Sequence, residues 1–554
     1  MADSSHQKRQ SLDQSNNKEL DLTEKSISQG NSSHDAEPQE PVDPNTALEQ
    51  TVTTESTKYP PMAKILLIML SLYVSMFLIA LDRLIIATAT PKITDEFHSL
   101  NDIGWYGSAF MLTSAASQLI YGRIYTFYPA KWVFLCSVLI FEVGSAVCGA
   151  APSSVAFIIG RAVAGLRYGR HRLGNGIGGV MFGIASVLGP ILGGVFTTNV
   201  SWRWCFYINL PFGGVAMVMI FILLDVPPPV SGHFNLKQKL NQLDPLGNLF
   251  LIPCVICLLL ALEWGGASYA WGNWRIILLF VLFGVLLILF IGWQIKMGER
   301  ALVPPRIFKQ RSVLAGFLWT ACMNAGMMVV LYYLPIWFQA IKDVDAEQSG
   351  IMNLPLVLSM VVGSVGSGIL ISALGYYNPF MYACVVLISI GMGLMTTFTP
   401  STGHPKWIGY QVIFGFGLGL GMQQANVAVQ TCLKPTDVPV GASLLMFSQQ
   451  LNGALFTAIA QTLFGNFLRE NLRKISGINV DHVVKLGATG IRQGVPASKM
   501  GAVIEGYSDA ITRTFILGVV MGCLSVFPAY MMEWKSVRKD HRKKEKKQDT
   551  EAQA

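Results

Sequence analysis

Charge is what this chain has least of. Only 13% of its 554 residues are Asp, Glu, Lys or Arg, against about 25% in an ordinary soluble domain. With 52% hydrophobic residues and a mean hydropathy of +0.45, that excludes a soluble globular protein and points to an all-α polytopic membrane protein. The nine cysteines are scattered, most of them inside apolar runs, without disulfide spacing. Cys254 and Cys257 form a CxxC, but it lies in an apolar run without further ligands, so no metal or redox centre is expected. No histidine stands well inside an apolar run, which leaves a metal-dependent membrane enzyme without ligands. There is no GxxxxGK[ST] loop, so ATP hydrolysis is not the expected power source. No basic segment followed by a short apolar stretch stands at the start, so no cleaved leader is expected.

Long apolar runs are what is abundant. Runs of about 20 residues, the length needed to cross a bilayer, fall near 65–90, 103–124, 132–151, 154–166, 176–197, 203–225, 245–263, 275–295, 313–338, 350–372, 379–398, 406–430, 439–465 and 510–533. That is fourteen spans, and an even number puts both termini on one side. The short basic loops agree: Arg123 with Lys131, then Lys296, Arg300, Arg306, Lys309 and Arg311, and the tail from Lys535 all fall on the inside. Residues 1–60 hold eleven acids against five Lys or Arg and read as a disordered cytosolic segment. The basic tail, 535–554, sets orientation and touches anionic lipid rather than nucleic acid. The expected domains are a first half at 61–226, two central helices at 227–312, and a second half at 313–534 with an outside loop at 466–509. A weak repeat supports two halves: Gly122-Arg123-x7-Lys131 after span two, and Gly368-x6-Gly375 before Asn378-Pro379 after span ten.

The fifth run is glycine-rich, with Gly178, Gly179, Gly183, Gly189, Gly193 and Gly194 and Pro190 among them. In water each interior glycine costs roughly 0.5–1 kcal/mol relative to Ala; in lipid, small residues four apart let a neighbouring backbone approach. The pattern Gly183-x5-Gly189-Pro190-x2-Gly193-Gly194 resembles the antiporter signature in the fifth helix of major-facilitator drug exporters. Ser201-Trp202-Arg203-Trp204-Cys205-Phe206-Tyr207-Ile208-Asn209-Leu210-Pro211 resembles the segment opening span six in the fungal fourteen-helix drug:proton antiporters. Pro304-Pro305-Arg306-Ile307-Phe308 is similar to the stretch leading into that family's span nine. The resemblance implies a fourteen-helix major-facilitator fold, six spans plus two plus six, monomeric, with pseudo-symmetric halves around a central cavity.

It also implies roles. Leu81-Asp82 with Pro91 and Lys92 resembles the end of the family's first span, and an Asp in a membrane is a functional candidate. Here Arg83 follows it and is expected to neutralise it. Gly160-Arg161-Ala162-x2-Gly165 resembles the fourth-span motif whose Arg is tied to proton coupling. A central Arg costs about 2.5–3.5 kcal/mol on insertion scales, which argues against a merely structural role. Glu142 is a second proton-site candidate. Gly122, Arg123 and Lys131 resemble the cytoplasmic gating loop, their charges either switching partners between conformations or only fixing orientation. Asn324, Tyr332, Tyr333, Gln423, Asn426 and Gln449 are polar groups at membrane depth that line a cavity or bond between helices. Asn199-Val200-Ser201 is a glycosylation sequon close to the membrane.

One segment breaks the pattern. Ser154–Leu166 is only thirteen residues, about 20 Å of helix against a hydrocarbon core of about 30 Å, and RYGRHRLGNG follows where the fourth span should continue. One codon set for that decapeptide, read one base later, encodes a glycine-rich continuation of a transporter helix. A local frame shift in the gene reading explains the truncated fourth span; a divergent or inactive allele is the alternative. The overall expectation is proton-coupled export of amphipathic small molecules, toxins or drugs, across the plasma membrane (alternatively the vacuolar membrane), without a cofactor or metal. A proton-coupled importer such as a siderophore carrier, and a non-transporting receptor or scaffold, are the rivals.

Overall fold

The computed structural model describes residues 62–97, 103–166, 177–224, 244–265, 269–344, 346–480 and 483–537, apart from 485–490 and 493. These residues are almost wholly helical. The main helices are α1 Met62–Phe97, α2 Ile103–Phe127, α3 Ala130–Ala150, α4 Ser154–Gly165 and α5 Ile177–Asn199. They continue with α6 Trp204–Leu223, α7 Pro245–Trp264, α8 Trp274–Met297, α9 Arg311–Lys342 and α10 Leu354–Leu374. The last are α11 Asn378–Met395, α12 His404–Cys432, α13 Val438–Arg473 and α14 Ala497–Met531. Among the described residues the sole β feature is an isolated bridge between Gly265 and Tyr269. Ten of the helices are long and apolar enough to cross a membrane; α2, α4, α5 and α13 are outside that set.

Side chains sort as lipid requires. α8 turns Ile277, Val281, Ile288 and Ile295 outward, each more than half exposed, and almost none of it is buried. α9 is the opposite: Trp319, Asn324, Met328, Tyr333 and Trp337 are all buried on different faces. A helix apolar all round with polar groups only on shielded faces is the membrane solution, since backbone bonds close within the segment.

The packing of the first six helices is repeated by the last six. α1 packs on α5 and α6, α3 on α4 and α6, and α2 on α4; α9 packs on α13 and α14, α11 on α12 and α14, and α10 on α12. The two sets touch along α2 with α13 and along α5 with α10, which exchange under the same repeat. The α7–α8 hairpin rests α7 on α2 and α13. Close approach needs glycine in both sets. A Cβ on Gly144 of α3 would lie 2.4 Å from the Ala164 nitrogen of α4, and one on Gly419 of α12 would lie 2.2 Å from the Met360 carbonyl of α10. α4 and α12 are thus wedged between two neighbours each.

Several boundaries differ from the expectation. α1 continues past position 90 to Phe97, because Thr90 and Thr94 hydroxyls bond back to Ile86 and Thr90 carbonyls and keep polar groups satisfied in the helix. Gly122 and Arg123 lie within α2 rather than in a loop, and only 128–129 separate α2 from α3. Both ends of the expected outside loop 466–509 are helix: α13 runs to Arg473 and α14 starts at Ala497. Asn471 donates to the Gly506 carbonyl and to Asp509 Oδ2 at 3.1 and 2.8 Å, joining those two extensions. The expected frame-shift segment, 167–176, lies outside the described residues.

Candidate functional site

The densest polar chemistry in the first six helices is a buried ion pair. Arg161 of α4 and Asp82 of α1 meet at 2.6 Å, each only 1% exposed. Arg161 Nε also donates to the Tyr106 carbonyl of α2 at 2.9 Å, and its guanidinium lies 4.8 Å from the Phe110 ring and 5.9 Å from the Phe206 ring. Three helices and two aromatic faces therefore hold one cation. Arg suits this place because its weakly hydrated planar head stacks on rings and forks to an acceptor. Asp82 Oδ2 takes the pair, while Oδ1 has no hydrogen-bond partner among the described residues. The neighbour along the chain is not the partner: Arg83 forms no ion pair with Asp82, and the expected neutralisation comes from Arg161, 79 residues away. Consecutive helical residues point about 100° apart, so Arg83 leaves the Asp82 face.

Glu142 occupies a different seam. Its carboxylate lies against Gly213 of α6, where a Cβ would overlap it, beside the Asn209 to Ser145 hydrogen bond of 3.2 Å that joins α6 to α3. Lys131 sits over the Phe221 ring at 5.3 Å. Gly122 and Arg123 are placed in α2 by their backbone. Gly183, Gly189, Pro190, Gly193 and Gly194 all fall within α5, which stays helical past position 190 and packs on both α1 and α10. Gly189 and Gly193 are buried, whereas a Cβ on Gly194 would meet nothing. Asn199 is the exposed last residue of α5.

The six polar groups of the second half divide. Asn324 of α9 donates to the Gln449 carbonyl of α13 at 2.5 Å, and Asn426 donates to the Gln423 side chain at 3.3 Å within α12; these are helix contacts. Tyr333 is buried with its ring 5.2 Å from Phe464. Tyr332 is different. It is 42% exposed and lies within electrostatic reach of Arg83 of α1, although α1 and α9 do not pack closely against each other. Long side chains from the two halves thus come within electrostatic reach of one another. Gln450 of α13 also joins the halves, donating to Ser114 of α2 at 3.2 Å.

Two arrangements were not anticipated. Asp244, at the start of α7, is fully buried without a cation. Oδ1 accepts from Gly247 N and Trp293 Nε1 at 2.9 and 2.8 Å, and Oδ2 from Gln294 Nε2 and Leu302 N at 2.8 and 3.1 Å. Four donors satisfy the carboxylate and tie α7, α8 and the 298–303 turn together. The sequence signal was there: Asp followed by Pro at the head of an apolar run is an N-cap. The second is Glu96, which accepts from Trp202 Nε1 at 2.6 Å and from Arg203 at 2.7 Å. Arg203 also donates to the Gly149 and Ala151 carbonyls at the end of α3. The Trp202-Arg203 motif is therefore a clasp across α1, α3 and α6.

Residues 72–457 match the family model described as Major Facilitator Superfamily. The chain is 50% identical over 498 residues to the MFS-type transporter VdtG of Byssochlamys spectabilis, covering 87% of this chain and 90% of that one. It is 47% identical over 501 residues to the rubrofusarin-specific efflux pump aurT of Gibberella zeae, covering 87% and 92%. It is 45% identical over 497 residues to the efflux pump aflT of Aspergillus parasiticus, covering 86% and 97%. Among solved structures, an inward-facing bacterial homologue of the human lysosomal transporter Spinster aligns with a TM-score of 0.51 at 14% identity, covering 86% of this chain and 98% of that one.

Proposed function

The chain belongs to the major facilitator superfamily, a transporter rather than an enzyme, and we propose that it expels an amphipathic fungal secondary metabolite in exchange for protons. Relatives named as efflux pumps, at 45–47% identity, support export. The observation that carries proton exchange is the Asp82–Arg161 pair. While Asp82 is ionised, Arg161 has a full counter-charge and locks α4 to α1. A proton on Oδ1, the oxygen left open, removes that charge, and an uncompensated guanidinium in low dielectric must find other acceptors. Helices α1 and α4 then shift relative to one another, which biases the halves toward the other side of the membrane. The energy suffices: 100 mV supplies about 2.3 kcal/mol and one pH unit about 1.4, enough together for a gradient of a few hundred-fold.

In this reading α2, α4, α5 and α13 cross the membrane with the other ten helices, as six, two and six spans. Residues 61–226 and 313–534 are the halves and 227–312 hold the α7–α8 hairpin. The protein works as a monomer in the plasma membrane with both termini cytosolic. The halves rock about the α2–α13 and α5–α10 seams, where the glycines of α5 permit close sliding. Inverted membrane vesicles test it: export appears as solute uptake that needs an inside-acid gradient and collapses when that gradient is dissipated. Uptake indifferent to ΔpH overturns proton exchange, and accumulation in right-side-out vesicles overturns export.

A further inference from the structure

Arg83 is a charge the proton exchange does not use. It lies at the end of the apolar stretch Met62–Arg83 of α1, partly accessible, and no hydrogen bond or ion pair joins it to any described residue. Asp82 is not its partner, because that carboxylate pairs with Arg161 at 2.6 Å and both side chains are buried. Within the trio Asp82, Arg83 and Arg161, one positive charge is therefore left over. Opposite, on the other half, the Tyr332 hydroxyl also has no hydrogen-bond partner among the described residues, and the ring is 42% exposed. The two groups interact electrostatically although their helices do not pack closely, and each side chain is partly accessible.

Both groups are donors. A guanidinium offers a planar fork of N–H groups and a phenol one O–H, and neither has an acceptor. An unpaired Arg at membrane depth is expensive and is retained where it meets a ligand. The flanks are apolar or aromatic: next to Tyr332 in the chain, the Tyr333 ring packs 5.2 Å from Phe464, and α9 contributes Met327 and Met328 about one turn away.

We propose that Arg83 and Tyr332 form an anion subsite in the central space, and that the cargo is an amphipathic organic acid, an apolar ring-bearing molecule with an ionised carboxyl or phenol. The acidic oxygen sits in the Arg83 fork and accepts from Tyr332, while the rings lie along α9. This deepens the export reading by naming its substrate class. The subsite also spans the halves, since one donor comes from α1 and the other from α9.

Cysteine labelling in sealed vesicles of the full-length protein tests the charge without needing any proton gradient. In a background where the exposed Cys136 and Cys523 are alanine, Tyr332→Cys is modified with anionic sulfonatoethyl and cationic trimethylammonioethyl methanethiosulfonate. The anion-to-cation rate ratio falls at least about fivefold on adding Arg83→Gln, and Arg83→Lys keeps it, since the effect is Coulombic. An unchanged ratio overturns the proposal. The substrate class is read in the protein with Tyr332 intact, by dye binding followed as fluorescence anisotropy. Fluorescein, a ring-bearing dianion, binds the Arg83 protein and binds Arg83→Gln at least about fivefold more weakly, while binding of the similar-sized cation rhodamine 6G does not depend on Arg83. Equal binding of both dyes, or none of fluorescein, overturns the organic-acid class, and displacement of fluorescein by chloride alone replaces it with a small inorganic anion. Because labelling and dye binding proceed at equal pH on both sides, failure here is distinct from failure of proton exchange in the vesicle uptake assay.

Discussion

The two halves repeat each other in packing and differ in chemistry, and α4 against α12 shows it best. Each is wedged between the two neighbours that precede it, α4 between α2 and α3, α12 between α10 and α11. Each is seated by glycine approaches that leave no room for a Cβ. Yet α4 has 12 residues and carries Arg161, while α12 spans Gly403-capped His404 to Cys432 with only neutral amides buried in it. Among the described residues, the fully buried charged side chains are Asp82, Glu142, Arg161 and Asp244, all before α9. A repeat of the backbone thus does not repeat the electrostatics. The first half buries ionisable groups, which the proposed proton exchange uses; in the second, polar groups such as Asn324 and Trp319 are satisfied by carbonyls of neighbouring helices.

The sharpest way to break this contrast is at Arg161. Arg161→Ala leaves Asp82 buried and alone, and losing one partner of a buried pair costs about 3–5 kcal/mol, so both thermal stability in detergent and export fall. Asp82→Asn combined with Arg161→Gln removes both charges, recovers most of the stability and remains without proton-driven export. The same neutral treatment of α12, Gln424→Met, changes stability by a kcal/mol or two at most and leaves ΔpH dependence intact. If the double variant exports with ΔpH dependence, the charged half is not where protons act.

How far the sequence foretold this contrast depends on distance along the chain. Helices were legible because twenty apolar residues in lipid admit little else, and the Trp202-Arg203 stretch stood out by its resemblance to the segment that opens span six in the fourteen-helix antiporters. Asp82 and Arg161 were each visible as costly residues. Their pairing was not, since helix order in space decides it, and the nearest chain neighbour, Arg83, was the wrong partner. The helical ends of α13 and α14 were missed for a similar reason: polar residues such as Asn471 and Asp509 read as loop until each supplies the other's hydrogen bond. Tyr332 and Tyr333 look alike in sequence, and only the turn of about 100° between them leaves one partly exposed and sends the other into the core.

A smaller effect sharpens the symmetric side of the comparison. Gly144→Ala and Gly419→Ala place a methyl 2.4 and 2.2 Å from neighbouring backbone, and overpacking of that kind costs about 1–3 kcal/mol. Both lower the melting temperature by similar amounts. Gly393→Ala in α11, where a Cβ meets nothing, is neutral or stabilises by up to about 1 kcal/mol through helix propensity. A tolerated Gly144→Ala beside a damaging Gly419→Ala would mean that α4 is seated more loosely than α12.

The smallest expected difference concerns how each half fastens the end of its first helix. Glu96 at the end of α1 pairs with Arg203 at 2.7 Å, and Asp343 just past α9 pairs with Arg492 at 2.7 Å. Glu96 has more than an ion pair: the Trp202 indole N–H is the main influence holding its carboxyl below the usual carboxylate range, burial opposes it, and Arg203 adds to it. A depressed carboxyl contributes stability that is present above its ordinary value near 4.5 and is lost as pH falls through the lower folded value. Melting temperature should therefore drop as pH falls below about 4.5, and Glu96→Gln should flatten that acid limb, by an amount kept small because the side chain is 45% exposed and screened. Asp343→Asn at pH 7 shifts stability by no more than about 0.5 kcal/mol, since its one exposed pair is all it loses. If Glu96→Gln leaves the acid limb unchanged, ionisation of Glu96 adds nothing measurable to stability, and the ends of α1 and α9 are fastened alike.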